Sequence, residues 1–510
     1  MDSIVEALSQ HSTHHPERTA LLFEGRAYTY RELYSQVARF AAGLKQWGLQ
    51  PGDRVALFLE NCPEFIIAYF GTHRAGGVIV LVNTQYRQVE LRHLLADSGA
   101  RLALTDPTGG AELDRLKTDL PDLEGLVLVG GPGNLGNLPS FEFETFLAEP
   151  VESFSFPKGG DLAIIGYTSG TTGRAKGAML LHSNLASNIE TLTHTWQWTA
   201  ADRLLLVLPL FHAHGLMVGL HGTIWTGASA ELQRKFEASS VLSVLQSDTR
   251  LTMFFGVPTM YGRLLEEAKT YSGPLRPLRL YVSGSAPLSQ AVFNEFQQVF
   301  GQPILERYGM TETIMNTTNP YQGERRAGTV GLPFPGQQAR IVDVRTRQLL
   351  TDGETGEIEV YGPHVFKGYW QRPEATAEAF SPDGWFRTGD LGCRSLDGFI
   401  TINGRARELI ISGGYNIYPR EVEEVLLQHP GVSEAAVFGL PDPDLGEQVV
   451  AAVVPAFGFE SLTTSELADF CRNQLASFKK PRQVFLVKAL PRNALGKVQK
   501  HLLRGQLEKR

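Results

Sequence analysis

A chain of 510 residues exceeds what one hydrophobic core serves, and 43% hydrophobic against 20% charged residues leaves enough apolar surface to fold throughout, in two or more domains. The net charge of -7 excludes the basic face of a nucleic-acid binder and favours small-molecule chemistry. Three scattered cysteines, Cys62, Cys393 and Cys471, have no CxxC or His-rich spacing, which excludes a disulfide framework and a structural zinc.

In chain order, Met1 to Glu6 lacks the basic and apolar regions of a secretory signal and is too acidic for a transit peptide, so a cytoplasmic protein is expected. Thr29 and Glu32 form a capping box, after which Leu33, Val37, Phe40, Ala41 and Leu44 share one helical face until Gly48. Strand-like runs follow at Val55 to Leu59, Gly77 to Val82, Arg101 to Leu104, Leu126 to Val129, Arg203 to Leu208, Leu251 to Phe255 and Leu278 to Val282. Alternation of such runs with helical patterns predicts an α/β fold. The apolar run Leu204 to Leu220, broken by Pro209, His212 and His214, is too short to span a bilayer and reads as a buried strand, a turn and a helix start. Past Gly404 the pattern is helix, strand, strand, helix, strand, with Pro419 at a helix start. The expected division is therefore a domain 1-403 and a small α+β domain 404-510, jointed at Gly404-Arg405-Ala406-Arg407-Glu408.

The first chemical motif is Tyr167-Thr168-Ser169-Gly170-Thr171-Thr172-Gly173-Arg174-Ala175-Lys176-Gly177. Its glycines and hydroxyls let backbone N–H groups close on phosphate oxygens, and Lys176 adds a positive charge. It is not a Walker A loop, in which Ser or Thr follows Gly-Lys; alone it reads equally as a surface loop. Further blocks are Ser283-Gly284-Ser285-Ala286-Pro287, Arg307-Tyr308-Gly309-Met310-Thr311-Glu312, Gly384 to Asp390, Gly404-Arg405 through Ser412-Gly413-Gly414-Tyr415, and Pro491 to Lys497.

In this order the blocks resemble the adenylate-forming superfamily of acyl-CoA synthetases, carrier-protein adenylation domains and firefly-type luciferases, from about Asp161 to Lys500. The resemblance implies a large N-terminal α/β domain, a small mobile C-terminal one, and an acid–thiol ligase that uses ATP, Mg²⁺ and coenzyme A. It places Thr168, Ser169, Gly170, Thr171, Thr172, Gly173, Lys176 and Thr311 around the phosphates. Gly284, Ser285, Ala286, Pro287, Arg307, Tyr308, Gly309 and Met310 also fall to the nucleotide, with the Tyr308 ring stacked on adenine beside the turn Gly284 to Pro287. Asp390 takes the ribose hydroxyls beside Arg405, and Glu312 with Thr172 holds the metal. Lys497 reaches the α-phosphate, and Arg407 stands at the pivot, where the family usually has Asp or Lys. Ser412, Gly413, Gly414, Tyr415 and Arg420 serve the thioester step, with Lys479, Lys480 and Arg482 candidates for coenzyme A phosphates.

The segments Leu208 to Leu216, Gly256 to Arg263 and Met315 to Gly331 look like malonyl-CoA synthetases. That resemblance implies a pocket for malonate or methylmalonate lined by His212, Ser283 and Met315, with Arg263 on the free carboxylate. Arg263 reads alternatively as a solvent-facing helix residue. The block Ile411 to Pro419 is similar to that of fatty-acyl and aryl-acid ligases, which keeps a monocarboxylate open. His212 and His214 have metal-like spacing without a third ligand. Rival readings are a carrier-protein adenylation domain, an oxygenase and a non-catalytic nucleotide-binding regulator. Expected partners are small molecules, with no stable membrane insertion, in a monomer or homodimer.

Overall fold

The structure is a computed structural model and describes residues 1-133, 135-150, 155-168, 175-271, 273, 275-413, 415-459, 461-472, 474-492 and 498-507. By contacts the chain forms two units. One comprises Met1–Ala327, Pro333–Gln338 and Val360–Phe386; the other comprises Gly328–Leu332, Ala339–Glu359 and Arg387–Arg510.

The first unit starts from local rules that the sequence states openly. The capping box at Thr29 is formed, the helix runs Tyr30–Trp47, and Gly48 ends it at φ 102°. Its apolar face is buried and packs on the helix Pro63–Arg74.

Two sheets carry the unit. In one, the parallel strands Leu162–Thr168, Val78–Leu81, Arg54–Phe58, Ala100–Thr105 and Gly125–Leu128 lie side by side. In the other, Leu305–Tyr308, Leu280–Ser283, Met253–Gly256, Arg203–Leu206, Ser229–Leu232 and Thr19–Phe23 run parallel. The expected strands are all present, within a few residues. Strands this apolar on both faces need helices over them, which is why parallel order accompanies the alternating pattern. The run Leu204 to Leu220 gives the expected strand, turn and helix start, but that start is wide: His214–Leu220 is a π-helix that passes into the α-helix His221–Thr226. Such wide turns are rare and concentrate at functional sites. No described helix is long and apolar enough to cross a membrane.

The second unit holds most of the sheet Gln338–Val342, Gly356–Tyr361, Phe386–Arg394 and Ile400–Arg405, followed by a second sheet built on the hairpin Val432–Asp442 and Gly446–Pro455. Period-two alternation decides what covers that hairpin. Val437, Val449, Ala451 and Val453 face a core with Val422, Leu426 and Leu467 from the helices Pro419–Leu426 and Thr464–Arg472. Ala436, Phe438, Val450 and Ala452 face the other way, onto Leu503 and Leu507 of Lys500–Leu507. Residues 387-403 group with the C-terminal residues by contacts, ahead of the charged stretch 404-408.

Three buried histidines give the first unit an acid-sensitive core. The His73 ring lies 4.7 Å from that of His182, and Tyr69 Oη is 2.8 Å from His221 Nε2. Burial, reinforced by the neighbouring rings, holds His73 well below its usual range and pushes His182 and His221 down to about 3. An unfolded histidine titrates near 6.5, so between that pH and about 3 the unfolded chain binds more protons and stability falls as pH falls. Each ring withdraws up to about 1.4 kcal/mol per pH unit. The urea midpoint is expected to drop steeply below about pH 6, and less steeply in His221→Gln; equal slopes would rule the cluster out.

Candidate active site

In the first unit, the strands Leu162–Thr168 and Lys176–Leu181 pair antiparallel down to Thr168 opposite Lys176, so both ends of the glycine-rich segment are fixed at one place. There the buried Glu312 accepts hydrogen bonds on Oε1 from Thr168 Oγ1 at 3.3 Å and from Tyr369 Oη at 3.1 Å. Lys176 Nζ sits 5.2 Å from the centroid of the same Tyr369 ring, a cation–π distance. A lysine, a buried carboxylate and two hydroxyls thus converge, a donor set suited to phosphate oxygens and a hard divalent cation.

The loop from Tyr308 to Asn316 aims these groups. A side chain on Gly309 would come within 2.0 Å of the Ile314 carbonyl oxygen, so only glycine fits. Ile314 adopts φ 58°, which a β-branched residue rarely accepts and which costs about 1–3 kcal/mol. The turn is closed by the Asn316 amide donating to the Tyr308 carbonyl at 2.9 Å, and Met315 is held through its carbonyl by Asn188 at 2.8 Å. Tyr308 itself is buried on its strand.

Several buried polar atoms of the same unit have no hydrogen-bond partner. Arg307 is buried, and its Nε and Nη2 have no hydrogen-bond partner. It lies under Gly284, whose side chain, if present, would meet the guanidinium carbon at 2.5 Å. Ser283 Oγ, His212 Nε2 and His214 Nε2 are likewise buried without partners, while His214 Nδ1 is 3.4 Å from Ser285 Oγ. Burial pushes Arg307 down to about 9 and His212 down to about 4; burial and then the Arg307 charge hold His214 well below its usual range. At neutral pH Arg307 is a cation near the neutral imidazole of His214. An unpartnered buried guanidinium costs several kcal/mol, so the arrangement calls for an anion.

In the second unit, Asp390 is buried on the strand Phe386–Arg394, with its Oδ1 2.6 Å from Arg405 Nε on the neighbouring strand. Arg407 is exposed just beyond. Ser412 is buried, Gly413 takes φ 57°, and the exposed Tyr415 stacks on Phe478 with centroids 4.4 Å apart. Arg420 pairs with Glu424 at 2.8 Å and Lys479 with Glu421 at 2.6 Å, so both cations are engaged locally.

Arg263 is exposed on Pro258–Ala268, whose buried face is Tyr261, Leu264 and Leu265, the surroundings of a solvent-facing helix residue. Arg307, by contrast, is buried under Gly284. Ser285, Ala286, Pro287 and Met310 lie with partial or full exposure on the loops beside Gly284 and Tyr308, and Thr311 is half-buried. Ser169, Gly170, Thr171, Thr172, Gly173, Gly414 and Lys497 lie outside the described residues. Sequence reasoning missed Tyr369, which reaches Glu312 across 57 residues, and Phe478. Neither has a local signal. Among the described residues no group of three or more His, Cys, Asp or Glu could hold a metal.

Comparison with known proteins places the chain in a family. The family model described as AMP-binding enzyme matches residues 8–370, and the model of the AMP-binding enzyme C-terminal domain matches 421–497. A long-chain-fatty-acid–CoA ligase of Bacillus subtilis is 35% identical, over 98% of this chain and 94% of its own. A malonate–CoA ligase of Arabidopsis thaliana is 32% identical, over 96% and 86%. The crystal structure of ATP-bound MatB from Rhodopseudomonas palustris is 39% identical, covers 99% of both chains and superposes with a TM-score of 0.92.

Proposed function

We propose, from the premise that this chain belongs to the AMP-binding enzyme family and is an acid–thiol ligase, that its acid is a short dicarboxylate, malonate or methylmalonate. The observation that carries the reading is Arg307: a buried guanidinium with two unpartnered nitrogens, close enough to neutral His214 to depress it further. One carboxylate of the substrate supplies the missing anion, and the other reacts. The relative named a malonate–CoA ligase and the ATP-bound MatB structure support this choice.

The reacting carboxylate oxygen attacks the α-phosphorus of ATP, pyrophosphate leaves, and the acyl-adenylate forms. The thiol of coenzyme A then attacks its carbonyl and AMP leaves. No protein nucleophile is required, so the residues work by placing charge and excluding water. Tyr308 and the turn Gly284 to Pro287 take the base, Asp390 with Arg405 the ribose, and Lys176, Thr168 and Thr311 the phosphates. Glu312 would hold Mg²⁺, which neutralises phosphate charge when bound. Lys497 serves the first half-reaction and the loop Ser412 to Tyr415 the second. Exchange between them runs through a swing of residues 404-510 about Arg407.

Pyrophosphate release with malonate, methylmalonate, acetate and octanoate, with and without coenzyme A, tests the reading. Malonate or methylmalonate is expected to exceed octanoate by at least about a hundredfold in kcat/KM, because a site built for a polar group rejects its absence. If octanoate outcompetes malonate, the dicarboxylate assignment fails and a fatty-acyl substrate replaces it.

A further inference from the structure

The second unit contains a largely buried lysine that neither half-reaction uses. Lys500 opens the helix Lys500–Leu507, with Nζ 2.7 Å from Glu423 Oε1 and 3.3 Å from Glu408 Oε2. The three side chains are 18%, 17% and 30% exposed, so water screens the contacts weakly. Glu423 is itself fixed, since its Oε1 also accepts the Val437 amide at 2.8 Å. Glu408 closes the 3-10 turn Ala406–Glu408, immediately after Arg405.

What lies upstream of Lys500 gives the contact its meaning. Val498 bridges Arg492, the Gln499 amide donates to the Pro491 carbonyl at 2.8 Å, and Arg492 pairs with Glu434 at 2.9 Å. The base of the segment that carries Lys497 is therefore clamped on both strands, and Lys500 ties that clamp to the turn bearing Arg407. One cation holding two carboxylates is also asymmetric. Without it, two partly buried negative charges face each other and push the turn away.

We propose that Lys500 is a positioning residue: its bridge to Glu408 fixes the base of the Lys497 segment to the Arg407 turn, so that the two move as one piece. The inference rests on the ligase reading and on the role assigned there to Lys497. A loosened bridge leaves the fold and the thioester step in place but misplaces Lys497, and a misplacement of about 1 Å costs roughly a hundredfold.

The test uses the full chain with Lys500→Gln, Lys500→Arg and Glu408→Gln. Glu408→Gln keeps the Lys500–Glu423 contact and so protects folding. Acid-dependent exchange of labelled pyrophosphate into ATP reports adenylation, thioester formation from supplied acyl-adenylate reports the second step, and thermal unfolding reports the fold. Lys500→Gln and Glu408→Gln are expected to lower exchange at least about tenfold, with thioester formation changed by less than about threefold and Lys500→Arg largely restored. Equal loss of both steps in parallel with Tm, or unchanged exchange in Glu408→Gln, overturns the proposal. Absence of acid-dependent exchange in the unmodified chain overturns the ligase reading instead.

Discussion

Lys497→Ala is expected to lower acid-dependent pyrophosphate exchange by about a hundred- to a thousand-fold, the typical loss when one fixed group aimed at developing charge is removed. Attack of a carboxylate on the α-phosphorus draws two anions together and loads further negative charge on the α-phosphate oxygens. Within the segment Pro491 to Lys497, a lysine beside a glycine can bring a compact positive charge to those oxygens. The second half-reaction has a different electrostatic demand. There a thiol attacks the acyl carbonyl and expels AMP by breaking the acyl C–O bond, and the α-phosphorus is not attacked, so thioester formation from supplied acyl-adenylate is expected to change little. Equal loss of both steps would assign Lys497 a structural role. Lys497→Arg separates charge from shape: if the requirement is a point charge placed within an ångström, arginine keeps the charge yet remains poor in exchange.

The legible parts of this protein are those decided by neighbours in sequence. The helix Tyr30–Trp47 was written in its capping box, its apolar stripe and Gly48, and the parallel strands in their short apolar runs. The ordered blocks led to the family in the same way. What stayed hidden was decided by burial. Arg263 and Arg307 are equally cationic in the sequence, and only the pairing of Leu280–Ser283 with Leu305–Tyr308 shows that the second lies inside, under Gly284. The π-helix beginning at His214 is illegible for a related reason: the same residues fit an α-helix, and packing selects the wider turn. Ion pairs such as Lys500 with Glu408, between residues far apart in the chain, leave no local trace either.

Arg307→Met is expected to lower kcat/KM for malonate by about a hundred- to a thousand-fold, while use of a short monocarboxylate such as butyrate is retained or rises. In the unmodified chain the guanidinium is sealed from water with two nitrogens unpartnered, and burial pushes it down to about 9. It therefore remains charged at neutral pH, and the folded chain bears the cost of that charge until an anion arrives. A dicarboxylate removes the cost. A monocarboxylate buries its apolar tail against a bare cation and does not. Removing the cation inverts the preference: the second carboxylate of malonate now enters a dry pocket without a partner, a loss of about 3–5 kcal/mol, whereas butyrate meets a thioether. The two effects are separable in stability as well. Losing an unpaired buried charge is expected to raise the Tm of the ligand-free chain, while the further rise in Tm that malonate gives the unmodified chain disappears. If Arg307→Met lowers malonate and butyrate turnover alike and lowers Tm, the guanidinium is a structural residue and the dicarboxylate reading loses its support. If malonate turnover falls alone, the discrimination resides in one buried charge on the strand Leu305–Tyr308.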